Sequence, residues 1–151
     1  MHPVALAQLR AVKAWNVLMA SIPSGGPSKI VGAFNDAADQ WTTLGVEAAG
    51  LQPPPAVAQA HMQWTHRVAV FAQGLRKVAL IARRMAGKKP RAAQVAQFSK
   101  LYQALPKENK EMWAAAADLD ASIHTELKRS DARMPQWWVD FYKSTHSGST
   151  P

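Results

Sequence analysis

Residues 55–86 read PAVAQAHMQWTHRVAVFAQGLRKVALIARRMA, and their spacing decides the fold class. Val57, His61, Trp64, Val68, Phe71, Leu75, Val78, Ala82 and Met85 recur at alternating intervals of four and three. Helix positions three or four apart share a face, so these residues form one seam suited to packing in a left-handed bundle. At about 100° per residue, Arg76, Lys77, Arg83, Arg84 and Lys88 fall on the opposite half of the wheel. The spacing predicts a long amphipathic helix with an apolar inner face and a basic outer one.

On the N-terminal side, Leu51-Gln52-Pro53-Pro54-Pro55 is a stiff connector that cannot continue a helix, although Pro55 suits the first turn of the one that follows. Before it, residues 29–49 carry the stripe Val31, Phe34, Ala38, Trp41, Gly45 and Ala48. Ser28 is the expected N-cap, and Gly50 the expected left-handed C-cap. The break Pro23-Ser24-Gly25-Gly26-Pro27 separates this block from a first one over 4–22, where Leu9, Val12, Trp15, Asn16, Met19 and Ile22 are spaced by helical intervals.

On the C-terminal side, Gly87 and Pro90 mark a turn that also carries Lys88, Lys89 and Arg91. Residues 91–105 form the next block, with Val95, Phe98, Leu101, Tyr102 and Leu105 inward. Pro106 is expected to open a separate helix to 129, because proline is tolerated at the first helical position and disfavoured in the interior. Glu108 and Glu111 in its first turns and Lys128 and Arg129 in its last suit the helix dipole. Its inward stripe is Met112, Trp113, Ala116, Leu119, Ile123 and Leu127. A short aromatic helix follows Pro135, with Trp137, Trp138, Phe141 and Tyr142.

Short turns between long amphipathic helices favour antiparallel neighbours. The expectation is an all-α fold, an antiparallel four- or five-helix bundle with a short C-terminal aromatic helix. Residues 1–143 form one helical-bundle domain and 144–151 a flexible tail. The length of 151 residues fits one domain with one core, and an apolar fraction of 48% fits a folded chain.

The chain has no cysteine, which excludes disulfides, thiolate metal sites and thiol catalysis. Phosphate-cradling glycine loops, nucleophile elbows and HExxH zinc motifs are missing too, so the sequence points away from an enzyme. No apolar run approaches the length of a membrane span, and Arg10 and Lys13 interrupt the one N-terminal stretch that could resemble a leader. The compartment stays open between cytoplasm and, behind a removed leader, periplasm.

Histidines and methionines supply the remaining ligand chemistry. Asp120 and His124 share a face at i,i+4, which suits a surface hydrogen bond, whereas His61 and His66 diverge on the helix. Haem-binding four-helix cytochromes resemble the general build of this chain, and Met19, Met62, His61 and His124 are the residues of the right type. Without CxxCH no covalent haem attachment is available, and such residues on helical seams serve packing more often than ligation. No metal and no cofactor are expected.

Charge is the strongest surface signal. The formal net charge is +8, yet between Glu47 and Glu108 there is no acidic residue at all. That stretch holds all of the excess, with a basic face of Arg76, Lys77, Arg83, Arg84, Lys88, Lys89 and Arg91. A solvated face that aids solubility is the plainest account. Among functions, an acidic protein partner ranks above nucleic acid, because no RNA- or DNA-binding pattern accompanies the charge, and nucleic acid above a membrane surface. Trp137, Trp138, Phe141 and Tyr142 either cap the end of the bundle or anchor a partner, since adjacent tryptophans on a helix cannot both face one surface. The function expected is a non-enzymatic accessory protein that docks on another macromolecule. The alternatives are a nucleic-acid binder and a haem or small-ligand carrier.

Overall fold

The computed structural model describes residues 2–23, 25–87, 89–130, 136 and 139. Their architecture is an all-α bundle of four helices, α1 (Pro3–Ser21), α2 (Pro27–Ala49), α3 (Ala58–Met85) and α4 (Ala92–Ser130). A single 3-10 turn, Pro55–Val57, leads into α3. No strand occurs among the described residues. α1 packs along α2, α2 along α3, and α3 along α4. α2 and α3 run antiparallel: the Ala48 carbonyl meets His61 at one end, and Asp39 meets Arg76 midway.

α3 buries the seam its spacing marks out. His61, Trp64, Val68, Phe71, Leu75, Val78 and Ala82 are buried, and Met85 at the end is half-buried. α2 likewise buries Phe34, Ala38, Trp41 and Ala48. Phe71 joins three helices, with its ring edge-on to Trp15 of α1 at 5.2 Å and to Trp41 of α2 at 4.9 Å. A second aromatic group ties α2 to α4, where Phe34 meets Phe98 at 6.3 Å and Tyr102 at 6.4 Å. Edge-on pairs of this kind add about 0.5–1.5 kcal/mol each beyond the area they bury.

Four sequence expectations are corrected. The first concerns α1, whose buried face is Val4, Ala7, Ala11, Ala14, Leu18 and Ser21. Leu9 and Asn16 are exposed, and Trp15, Met19 and Ile22 lie at the margin. Half of that face is alanine, whose small side chains pack against α2 while larger residues of the expected stripe stay at the margin or outside.

The second concerns Pro106, which sits inside α4 and does not begin a new helix. A proline there leaves the Tyr102 carbonyl without its N–H donor. Pro106 is exposed, so that carbonyl lies on a side of the helix that water can reach. Tyr102 and Leu105 before it, and Met112 after it, are anchored in the core and hold both halves on one axis.

The other two concern caps. α2 begins at Pro27 with Gly26 as its N-cap, two residues before the expected start, because a proline ring presets the helical φ of the first position. Gly50 caps α2 in the right-handed region, at φ −74°, and the left-handed glycine is Gly87 at φ +72°. Two margins also differ: Trp113, expected inward, is 37% exposed while keeping an edge contact with Trp41, and Val95 is 45% exposed.

Side chains of α4 come close to α3 at Gly74. A Cβ there would collide with the Glu108 carboxylate and come within 3.2 Å of Leu105. The absent side chain is what lets Glu108 lie against α3.

Candidate functional site

The basic face of α3 is divided by what the neighbouring helices bring to it. Arg76 donates to Asp39 of α2 at 2.6 Å. Nearer the N-terminus, Arg67 donates to Glu111 of α4 at 2.7 Å, with Lys107 at 3.9 Å from the same carboxylate. Lys77 lies close enough to Glu108 to stabilise its ionised form. The stretch without acids in the sequence is therefore supplied with them in space, by carboxylates of the helices before and after α3.

Beyond Lys77 the supply stops. Arg83 and Arg84 occupy the last turn of α3, where positive charge suits the helix dipole. Lys89 and Arg91 follow on the connector to α4. All four are exposed, and none forms a side-chain ion pair among the described residues. Lys88, Trp137, Trp138, Phe141 and Tyr142 lie outside the described residues. Gln136 and Val139, interleaved with the aromatics, are helical.

The same end of the bundle contains a cleft that the linear reading missed. Ile30 and Val31 from the start of α2, Ala82 and Met85 from the end of α3, Pro90 from the connector and Phe98 from α4 enclose about 530 Å³. Val31, Met85 and Phe98 belong to expected inward stripes, but here they are only half-buried. The available signal was topological: α2 begins where α3 ends, so the outermost stripe residues of both meet at one end, where Phe98 of α4 covers them only partly.

A second, polar cleft of about 390 Å³ lies between α3 and α4 and includes His66, Arg67, Glu111 and Asp118. Its charges are partly engaged by the Arg67–Glu111 pair. Among the described residues no group of three or more metal-ligating side chains converges. Among them, too, no helix is long and apolar enough to cross a membrane.

Two titratable groups, the buried His61 and the half-buried Glu108, respond to their surroundings in opposite ways. Burial pushes the His61 pKa below the ordinary value, and the hydrogen bond of its Nε2 with the Ala48 carbonyl at 3.0 Å pulls back part of that shift. This bond occupies the ring nitrogen that a haem iron would need, and Met62 beside it is 63% exposed. Burial pushes the Glu108 carboxyl up, opposed by Lys77 and reinforced by Glu111. Its Oε2 is buried without a hydrogen-bond partner, as is Oδ1 of the adjacent Asn109.

Comparison with protein-family models, with curated proteins and with solved structures finds no match for this chain, so its function has to be argued from its own residues.

Proposed function

We propose that this protein is a non-enzymatic helical accessory protein that docks on an acidic protein surface through the exposed end of its basic face. The observation that carries the reading is the group Arg83, Arg84, Lys89 and Arg91, four exposed cations without a carboxylate partner among the described residues. Surface charge left unneutralised on one rigid end raises association rates with a partner of opposite sign and orients the encounter. Arg76 and Lys77 contribute less, since Asp39 and Glu108 already face them. In this reading the C-terminal aromatics Trp137, Trp138, Phe141 and Tyr142 supply affinity, as aromatic anchors do at interface centres.

The test is a pull-down from an extract of the source cell, split into nuclease-treated and untreated halves and repeated with Arg83, Arg84, Lys89 and Arg91 reversed to Glu. Docking on an acidic protein requires a stoichiometric partner that survives nuclease and is lost on charge reversal. An association that disappears with nuclease transfers the same surface to nucleic acid. Binding there should weaken linearly with salt on logarithmic axes, with a slope of about −0.9 per phosphate neutralised on duplex DNA.

A further inference from the structure

We propose that the cleft at the α2–α3 end is a binding site for a free single-chain amphiphilic anion, a long-chain carboxylate whose aliphatic tail enters the cleft and whose head meets the surrounding cations. The inference goes beyond the docking reading and does not rest on it.

The tail follows from the lining. Ile30, Val31, Ala82, Met85, Pro90 and Phe98 are all apolar and come from three helices and a connector, so the walls are held by the bundle itself. A volume of about 530 Å³ falls in the range of small-molecule sites, about 300–1,000 Å³. Met85 gives one wall a flexible, polarizable thioether that adapts to a mobile chain. An aliphatic tail loses water there and forfeits no hydrogen bond, because the lining offers it no side-chain polar group.

The sign of the head follows from charge. Lys89 and Arg91 flank the lining Pro90 on the connector and Lys29 precedes Ile30, while Arg83 and Arg84 lie on the outer half of α3, away from its lining residues. The nearest acid along the chain to any of these lining residues is Asp36, five positions beyond Val31. Three helix ends meet here, the positive starts of α2 and α4 and the negative finish of α3, so the dipoles do not oppose the positive sign set by the side chains. The cleft is open on one side, where an anionic head can remain in water and meet these cations while the tail is covered.

The experiment is calorimetric titration of the full chain with octanoate, decanoate, dodecanoate and dodecyltrimethylammonium, each kept monomeric. The site requires one dodecanoate per chain and affinity rising about fourfold per added methylene while the tail still buries surface. It also requires at least tenfold weaker binding of the cationic amphiphile. Ala86→Trp, which fills the cleft from its half-exposed rim, should lower dodecanoate affinity at least tenfold while leaving every cation in place. Val31→Asp is a second cleft variant, and far-UV circular dichroism establishes that each is folded. Equal binding of the cationic and anionic amphiphiles overturns the proposal, as does dodecanoate affinity unmoved in both folded cleft variants. Cosedimentation with phosphatidylglycerol vesicles that Ala86→Trp abolishes, without any dodecanoate binding, also overturns it and assigns the cleft to a membrane lipid. Loss of partner capture on charge reversal, with dodecanoate affinity unmoved in both folded cleft variants, would leave the docking reading standing and this one refuted.

Discussion

The two ends of α3 carry the same chemistry and meet different surroundings. Arg67 and Arg76, toward the start and middle, are met by Glu111 and Asp39 from helices packed alongside. Arg83 and Arg84, in the last turn, meet no carboxylate among the described residues, and the apolar side chains at that end close only partly over a cleft. A run of basic residues in a sequence thus says little about the field outside the protein until the neighbours are known. Opposite charges at contact distance cancel most of each other's field, while unpaired charges act out to about a Debye length, some 8 Å at physiological salt.

If the packed part of α3 holds the bundle together and the open end does not, truncations in the two places should differ most of all. Phe71→Ala removes a buried ring shared by Trp15 and Trp41 and is expected to cost about 3–5 kcal/mol in urea unfolding. Met85→Ala, at the half-buried cleft wall, should cost under about 1.5 kcal/mol, below the usual range for a fully buried methionine. Comparable losses at the two sites would remove the distinction.

Binding should divide the helix the other way. Reversing Arg83, Arg84, Lys89 and Arg91 is expected to weaken capture of the partner at least tenfold, whereas neutralising Arg67 and Arg76 should change it less than threefold. Dissociation constants at two salt concentrations measure both. A larger effect from Arg67 and Arg76 would move the docking surface to the α3–α4 side.

The shifted titratable groups sharpen the comparison through pH. His61 has its folded pKa depressed below 6.5, so below that pH the unfolded chain takes up a proton that the folded one resists. Its contribution to stability is complete above 6.5 and falls away as pH drops toward the folded value. Glu108 has its folded pKa raised above 4.5, so stability falls as pH rises from there through the folded value. Glu108→Gln should therefore be more favourable to stability at pH 8 than near pH 4, read from urea midpoints. His61→Leu should flatten the stability profile between pH 7.5 and 5.5 while lowering its plateau, because the Ala48 carbonyl loses its partner. The smallest effect is Arg76→Ala: both partners of that pair are largely exposed, so its loss should register as about 0.2–1 kcal/mol, decreasing with salt.

How much was legible in the sequence differs by helix. In α3 the residues of the expected seam coincide with the buried face, with Met62 and Leu80 left outside it, since the helix has neighbours on two sides and its seam is long enough for periodicity to be unambiguous. In α1 periodicity misleads. Half of the buried face is alanine, and residue size, the usual guide, points to Leu9, which remains 39% exposed. Pro106 misleads for a related reason, because local preference marks a helix start and core contacts on both flanks override it.

The sequence alone determined the helical class, the placement of long amphipathic segments between proline- and glycine-rich breaks, and the concentration of positive charge in the middle of the chain. These are local properties, set by backbone preference, by the 3.6-residue period and by the order of charges. Which cations remain unneutralised, that Glu108 lies against Gly74, and that Ile30 and Met85 share an apolar cleft were decided only by the tertiary structure. Each depends on groups far apart in the chain coming within a few ångströms, and periodicity within one helix carries no information about which neighbour its faces will meet.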